Sequence, residues 1–181
     1  MTRRVLLLLF LLLPLLGCER AADVQAQALA PVPITADDEC AVCGMSIHHH
    51  PGPKGQLFLA GSQQPAKFCS TVDLFVYALQ PEYQERIAQA YVHDMSATDW
   101  QRPDDAAFIP ANEAWFVVGH DQRGAMGPTL ASFRDTGTAQ AFIDQHGGRM
   151  LPYSAVTLEV LQELSQGGHG DHPGPGAHHH H

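Results

Sequence analysis

Residues 56–79, QLFLAGSQQPAKFCSTVDLFVYAL, decide the fold. Gln56–Ala60 and Ala66–Cys69 are short runs rich in apolar and aromatic residues on either side of a Gly/Ser/Gln turn, the pattern of two paired strands. Ser70 then offers a side-chain oxygen to a helix start, with Asp73 three residues on in a partial capping box. Leu74, Phe75 and Leu79 continue as the apolar side of that helix. Pro81 opens a second helix, and Tyr91–Met95 reads as a further strand. The same order returns downstream. Ala114–Gly119 is a strand, a polar Gly-rich turn follows, and Thr129–Phe133 is another strand. A helix then starts at Thr136 or Thr138 and runs through Ala139, Phe142 and Ile143 to Gly147-Gly148. A last helix covers Ser154–Leu164. The two units match faintly, Phe68 with Phe133 and Phe75 with Phe142. This is an α+β chain of two small ββα-type lobes of related topology, residues 39–103 and 104–166. The first lobe carries the cysteines and the second carries none.

Upstream of the lobes, Arg3 and Arg4 precede an apolar run from Val5 to Leu16. At about a dozen residues the run is too short to cross a bilayer as a helix and fits a secretory signal over residues 1–17. It closes in Leu15-Leu16-Gly17-Cys18, which resembles a bacterial lipobox, with Cys18 as the lipidated first residue of the mature chain. Glu19 in place of Asp points to the outer membrane, facing the periplasm. Residues 18–38, rich in Ala, Gln and Pro, read as a flexible tether. Downstream, residues 167–181 form a Gly/His/Pro tail expected to be disordered, ending in His178–His181; that run is a native metal scavenger or a purification remnant.

The formal charge is −9, and losing Arg3 and Arg4 with the signal lowers it further. An acidic chain lacks the clustered cations that bind phosphates, so nucleic acid is excluded as a partner. No nucleophile–base–orienter set and no phosphate-cradling glycine loop is visible, so an enzyme is not expected. With Cys18 spent on lipid, Cys40, Cys43 and Cys69 remain, an odd count for an oxidising compartment, where metal ligation gives a free thiol its purpose.

Cys40-Ala41-Val42-Cys43-Gly44-Met45 supports three chemistries. As a thiol oxidoreductase motif it is poorly placed, because it precedes the first strand and follows Asp37–Glu39, whose charges oppose a thiolate. As half of a structural zinc site it needs Cys69 and either Asp73 or a histidine. As a soft-metal site it joins the Cys43 thiolate to the Met45 thioether, a pair that selects Cu(I). Met126, in Gly124-Ala125-Met126-Gly127-Pro128, lies in a loop-like setting; Met95 and Met150 read as packing. His93 reads equally well as a half-buried structural histidine or a nitrogen ligand, and His48–His50 as an exposed loop.

Several motifs in order make the chain resemble the NosL family, accessory lipoproteins of nitrous oxide reductase maturation. They are the lipobox at Cys18, Cys43-Gly44-Met45, Phe68-Cys69-Ser70 with Asp73-Leu74-Phe75, Tyr91-Val92-His93-Asp94 with Trp100, Ala114-Trp115-Phe116-Val117, and Met126-Gly127-Pro128-Thr129-Leu130. The resemblance implies a periplasmic Cu(I) chaperone working with the membrane transporter complex that matures nitrous oxide reductase. It implies Cys43 and Met45 as ligands, Met126 brought in from the second lobe, and His93 as a nitrogen donor. Cys40 and Cys69 are not required by that pattern, and they keep the zinc alternative open.

Overall fold

The structure, a computed structural model, describes residues 29–167. The signal segment, Cys18, the first part of the tether and nearly all of the His-rich tail lie outside them. The elements are β1 (Gly55–Leu59), β2 (Ala66–Phe68), α1 (Thr71–Ala78), α2 (Pro81–Gln84), β3 (Ile87–His93), β4 (Phe108–Pro110), β5 (Trp115–Val118), β6 (Arg123–Gly124), β7 (Gly127–Pro128), β8 (Ala131–Phe133), α3 (Thr136–His146), β9 (Arg149–Pro152) and α4 (Leu158–Gly167).

The α+β reading holds, and the repeat is deeper than a ββα unit. The first sheet runs β2-β1-β3-β4 and the second β8-β5-β9, all pairs antiparallel. In each sheet the first strand of the unit is central. It is flanked by the second strand and by the strand that follows the helices. The repeated unit is therefore ββαβ, and its last strand in the second half, β9, was absent from the sequence reading. Arg149–Pro152 holds only Met150 and Leu151 between an arginine and a proline and lacks a clean alternation, so only its partner β5 marks it as a strand. The last helix begins at Leu158, after a short 3₁₀ turn over Tyr153–Ala155.

Two features of the structure bear on the expected boundaries. Residues 32–38, expected in the tether, dock against the first sheet and the turn before β4. Val32 N–H donates to the fully buried Gln56 side chain at 2.9 Å, Ile34 N–H donates to Asp105 at 2.7 Å, and Lys67 pairs with Asp38 at 2.6 Å. The division between residues 103 and 104 cuts through the first sheet, since β4 pairs with β3.

β5 explains how two sheets share one interior. Successive side chains of a strand face opposite ways. Phe116 and Val118 enter a large core with Leu57, Phe68, Leu74, Phe75 and α4's Leu161 and Leu164. Trp115 and Val117 face a smaller cluster with Ala131, Phe133, Ala139 and Phe142 beneath α3. Phe75 stands edge-on to Phe116 at 5.0 Å, joining the first helix to the second sheet. Met95 and Met150 pack in the smaller cluster, as read from the sequence.

Candidate metal centre

The centre forms where a tight turn meets a helix start. In the turn, Cys40 N–H donates to Met45 O and Gly44 N–H donates to Cys40 O, both at 2.9 Å, and Glu39 bridges Ser46. Gly44 takes φ +71°, a left-handed conformation that costs other residues, so the Cys43-Gly44 pairing is a backbone requirement of the turn. The turn is tied to β2 by the Ala41 N–H to Lys67 O bond at 2.9 Å. At the end of β2 lies Cys69, and Ser70 caps α1 through Asp73 N–H at 3.1 Å. That cap sets the first turn of α1 so that Asp73 points back over Cys69.

Four donors converge. Cys69 Sγ donates to Asp73 Oδ2 at 2.9 Å, Cys40 Sγ lies 3.4 Å and Cys43 Sγ 3.8 Å from the same oxygen, and the Cys43 and Cys69 sulfurs are 3.5 Å apart. All four donor atoms lie within 4.8 Å of one another. Cys40 and Cys69 are buried and Cys43 is exposed, so the cluster has one open corner. The protons are unevenly held. The hydrogen-bonding contact with Cys69 brings the Cys40 thiol down to about 6, against its burial, with backbone N–H groups of Cys43, Cys69 and Val42 helping. Cys69 is pushed up by that same contact, by burial and by the Asp73 carboxylate, and Cys43 is raised chiefly by burial.

The other predicted site residues are distributed differently. Met45 is partly buried against the main core at the end of the turn. Met126 is 59% exposed at the β6–β7 hairpin, where it lines a groove of about 350 Å³ with Val72, Leu161 and Leu164. Val72 immediately precedes Asp73, and Thr71 Oγ1 meets Thr129 Oγ1 at 3.1 Å, so the hairpin flanks the N-terminal turn of α1. His93 is fully buried, stacked on Phe108 at 4.0 Å. Its Nδ1 accepts the Lys54 N–H at 3.1 Å and its Nε2 faces Asp105 at 3.6 Å. A neutral imidazole that accepts at Nδ1 carries its hydrogen on Nε2 and has no lone pair to offer a metal there. The structure brings Cys40, Cys69 and Asp73 together with Cys43, a set the sequence reading held together only in its zinc alternative. The signal for it was Cys69-x₃-Asp73, which straddles a helix start, beside the C-x-x-C spacing.

Comparison with known proteins decides the family. The NosL family model matches residues 31–161.

The chain belongs to the NosL family. It is 43% identical to the copper-binding lipoprotein NosL of Stutzerimonas stutzeri over 97% of this chain and 93% of that protein. It is 38% identical to the copper-binding lipoprotein NosL of Achromobacter cycloclastes over 73% of this chain and 70% of that one. The crystal structure of the copper chaperone NosL from Shewanella denitrificans superposes with a TM-score of 0.71 at 45% identity, covering 72% of this chain and 97% of that one. The tight turn, β2 and the start of α1 all fall within the matched NosL region.

Proposed function

We propose that this chain is a Cu(I) metallochaperone, lipid-anchored through Cys18 in the periplasm at the outer membrane, delivering copper for the maturation of nitrous oxide reductase through its membrane transporter complex. The observation that carries the copper reading is the convergence of three sulfurs with a single one, Cys43, open to solvent. Thiolates favour soft ions, and Cu(I) is content with two or three ligands. A buried pair can hold the ion while an incoming ligand approaches the exposed corner, which is the geometry a hand-off requires. Met45 adjoins that corner in sequence, and Met126 supplies a second-lobe thioether across the flanking hairpin. His93 is left out of the ligand set because its lone pair is committed to Lys54. The names of the related proteins, copper-binding lipoprotein and copper chaperone, support copper as cargo and a lipid anchor.

Anaerobic Cu(I) titration of protein lacking the histidine tail tests this, with X-ray absorption to identify the ligands. One dominant sulfur-rich site is expected, abolished by Cys43→Ser and weakened by Cys40→Ser. Unchanged Cu(I) binding by Cys43→Ser would sink the proposal.

One observation favours zinc as a second reading. Tetrahedral ligands at about 2.3 Å stand about 3.8 Å apart. The Cys40–Asp73, Cys43–Asp73 and Cys43–Cys69 separations of 3.4, 3.8 and 3.5 Å approach that spacing. Zinc that co-purifies, and whose chelation unfolds the chain, would establish it.

A further inference from the structure

One close sulfur pair, and the one that includes the exposed thiol, lies outside the C-x-x-C spacing. Cys43 and Cys69 sulfurs are 3.5 Å apart, although 26 residues separate them in the chain. Accessibility also divides them: Cys43 is exposed, whereas Cys40 and Cys69 are buried. A disulfide bond is about 2.05 Å long, so a closure of roughly 1.5 Å, taken up by the surface turn that carries Cys43, would join the pair. Beside Cys69, Asp73 Oδ2 accepts its thiol hydrogen bond at 2.9 Å.

We propose that Cys43–Cys69 is a reversible disulfide site that closes the metal-free centre, so that a dithiol-bearing reductant must act before the chain takes up metal. This rests on the reading of the Cys/Asp quartet as the metal site in an oxidising compartment. The oxidant is a disulfide, R–S–S–R′, of a small thiol or an oxidising protein. Cys43 is the thiol that such a reagent can reach. Its proton leaves to solvent and its sulfur attacks one sulfur of the reagent, forming a mixed disulfide and releasing R′–S⁻, which takes up a proton. Cys69 then attacks the Cys43 sulfur, and its proton passes to the departing R–S⁻. The Cys43–Cys69 bond forms, the Cys43–R bond breaks, and R–S⁻ leaves to be protonated. Two protein thiols are oxidised and one external disulfide is reduced to two thiols, while Cys40 stays a thiol. Reduction by a dithiol runs the same steps backwards. The closed form has lost two of its three thiolate ligands. Conversely, a bound metal ion occupies the sulfur lone pairs and shields the pair from oxidation.

The test is to incubate the metal-free full chain with glutathione disulfide, label remaining thiols with a maleimide, and map Cys40, Cys43 and Cys69 by peptide mass. The expected result is a Cys43–Cys69 crosslink with label on Cys40 alone. Cu(I) binding, read by competition with a chromophoric chelator, should fall about 100-fold and return on adding dithiothreitol. Cys40→Ser should keep the crosslink, and Cys69→Ser should instead carry glutathione on Cys43. Preloading with Cu(I) should leave all three unlinked. Label on all three cysteines of the metal-free oxidised chain, a Cys40–Cys43 crosslink, or an oxidised chain that binds Cu(I) as tightly as the reduced one would overturn the inference. If the reduced chain bound no Cu(I), the copper reading and the loading role would both fail. If the reduced chain bound Cu(I) but no crosslink formed, this inference alone would fail.

Discussion

Asp73 serves two purposes from one backbone position. Its N–H is held by Ser70 Oγ at 3.1 Å, which starts α1, and its carboxylate faces all three sulfurs of the centre. The hydrogen bond with Cys40, burial and then the Asp73 carboxylate hold the proton on Cys69, while Cys40, receiving hydrogen bonds, falls to about 6. The sign for metal uptake follows. At neutral pH Cys40 is already a thiolate, whereas Cys43 and Cys69 are raised and must each lose a proton to bind an ion. Apparent Cu(I) affinity should therefore rise with pH between about 6.5 and 8, roughly tenfold per pH unit for each of the two raised thiols engaged. Chelator competition across that range measures the slope; a flat profile would mean that neither thiol gives up a proton. Asp73→Asn separates the metals. It keeps the cap and the shape but removes the charge, so Zn(II) affinity should fall about 10- to 100-fold, the order seen when a metal-site carboxylate is lost. Cu(I) affinity should hold or improve, because Cys69 then ionises more easily. Parallel titrations with the two metals distinguish these outcomes, and equal losses for both would contradict the prediction.

Among the elements, the join between β1 and α1 fixes the geometry of the centre, because α1 carries Asp73 and follows Cys69 directly. Gly55 makes that join possible. A Cβ there would stand 2.4 Å from Leu74 Cδ1 and 2.9 Å from Leu74 Cβ, so the helix would have to move off the strand. Gly55→Ala should destabilise the chain by about 1–3 kcal/mol through overpacking, read as a lowered Tm in thermal unfolding. An unchanged Tm would show that α1 is not seated as described. At this scale the sequence was informative where side chains alternate or cap. QLFLA, the Ser70/Asp73 helix start, and AWFVV all became the elements expected within a residue or two. It was silent on β4 and β9, each short and ending in proline, because such strands owe their existence to partners β3 and β5 rather than to their own pattern. The centre was half readable for a similar reason. Cys43-Gly44-Met45 is a local signal, whereas the meeting of Cys40 and Cys43 with Cys69 and Asp73 is a tertiary event created by the Ala41–Lys67 bond between turn and strand. The two readings of His93 stayed open in the sequence because its Lys54 partner lies 39 residues away.

Across the whole molecule, the duplicated ββαβ units are stitched into one cooperative body. Among the described residues, everything from Pro31 onward falls in a single unit. The stitches are specific: β4 completes the first sheet from beyond the expected boundary, Met95 N–H donates to Ser132 O at 2.8 Å, and Ser132 Oγ donates to His93 O at 2.7 Å. At the centre Phe75, from the helix that carries the metal site, packs on Phe116 of the second sheet and on Tyr153 at 5.3 Å. A buried aromatic with partners from both halves makes the stability of one half depend on the other. Phe75→Ala should cost about 3–5 kcal/mol, the range for emptying a buried phenylalanine site. The loss should fall on both sheets together: near-ultraviolet circular dichroism from Trp100 and Trp115, which pack in the smaller cluster, should be lost at the same denaturant concentration as Cu(I) binding at the cysteine turn. Two separated transitions, with the tryptophan signal outlasting the metal site, would mean that the lobes fold independently and that the shared core does not couple them.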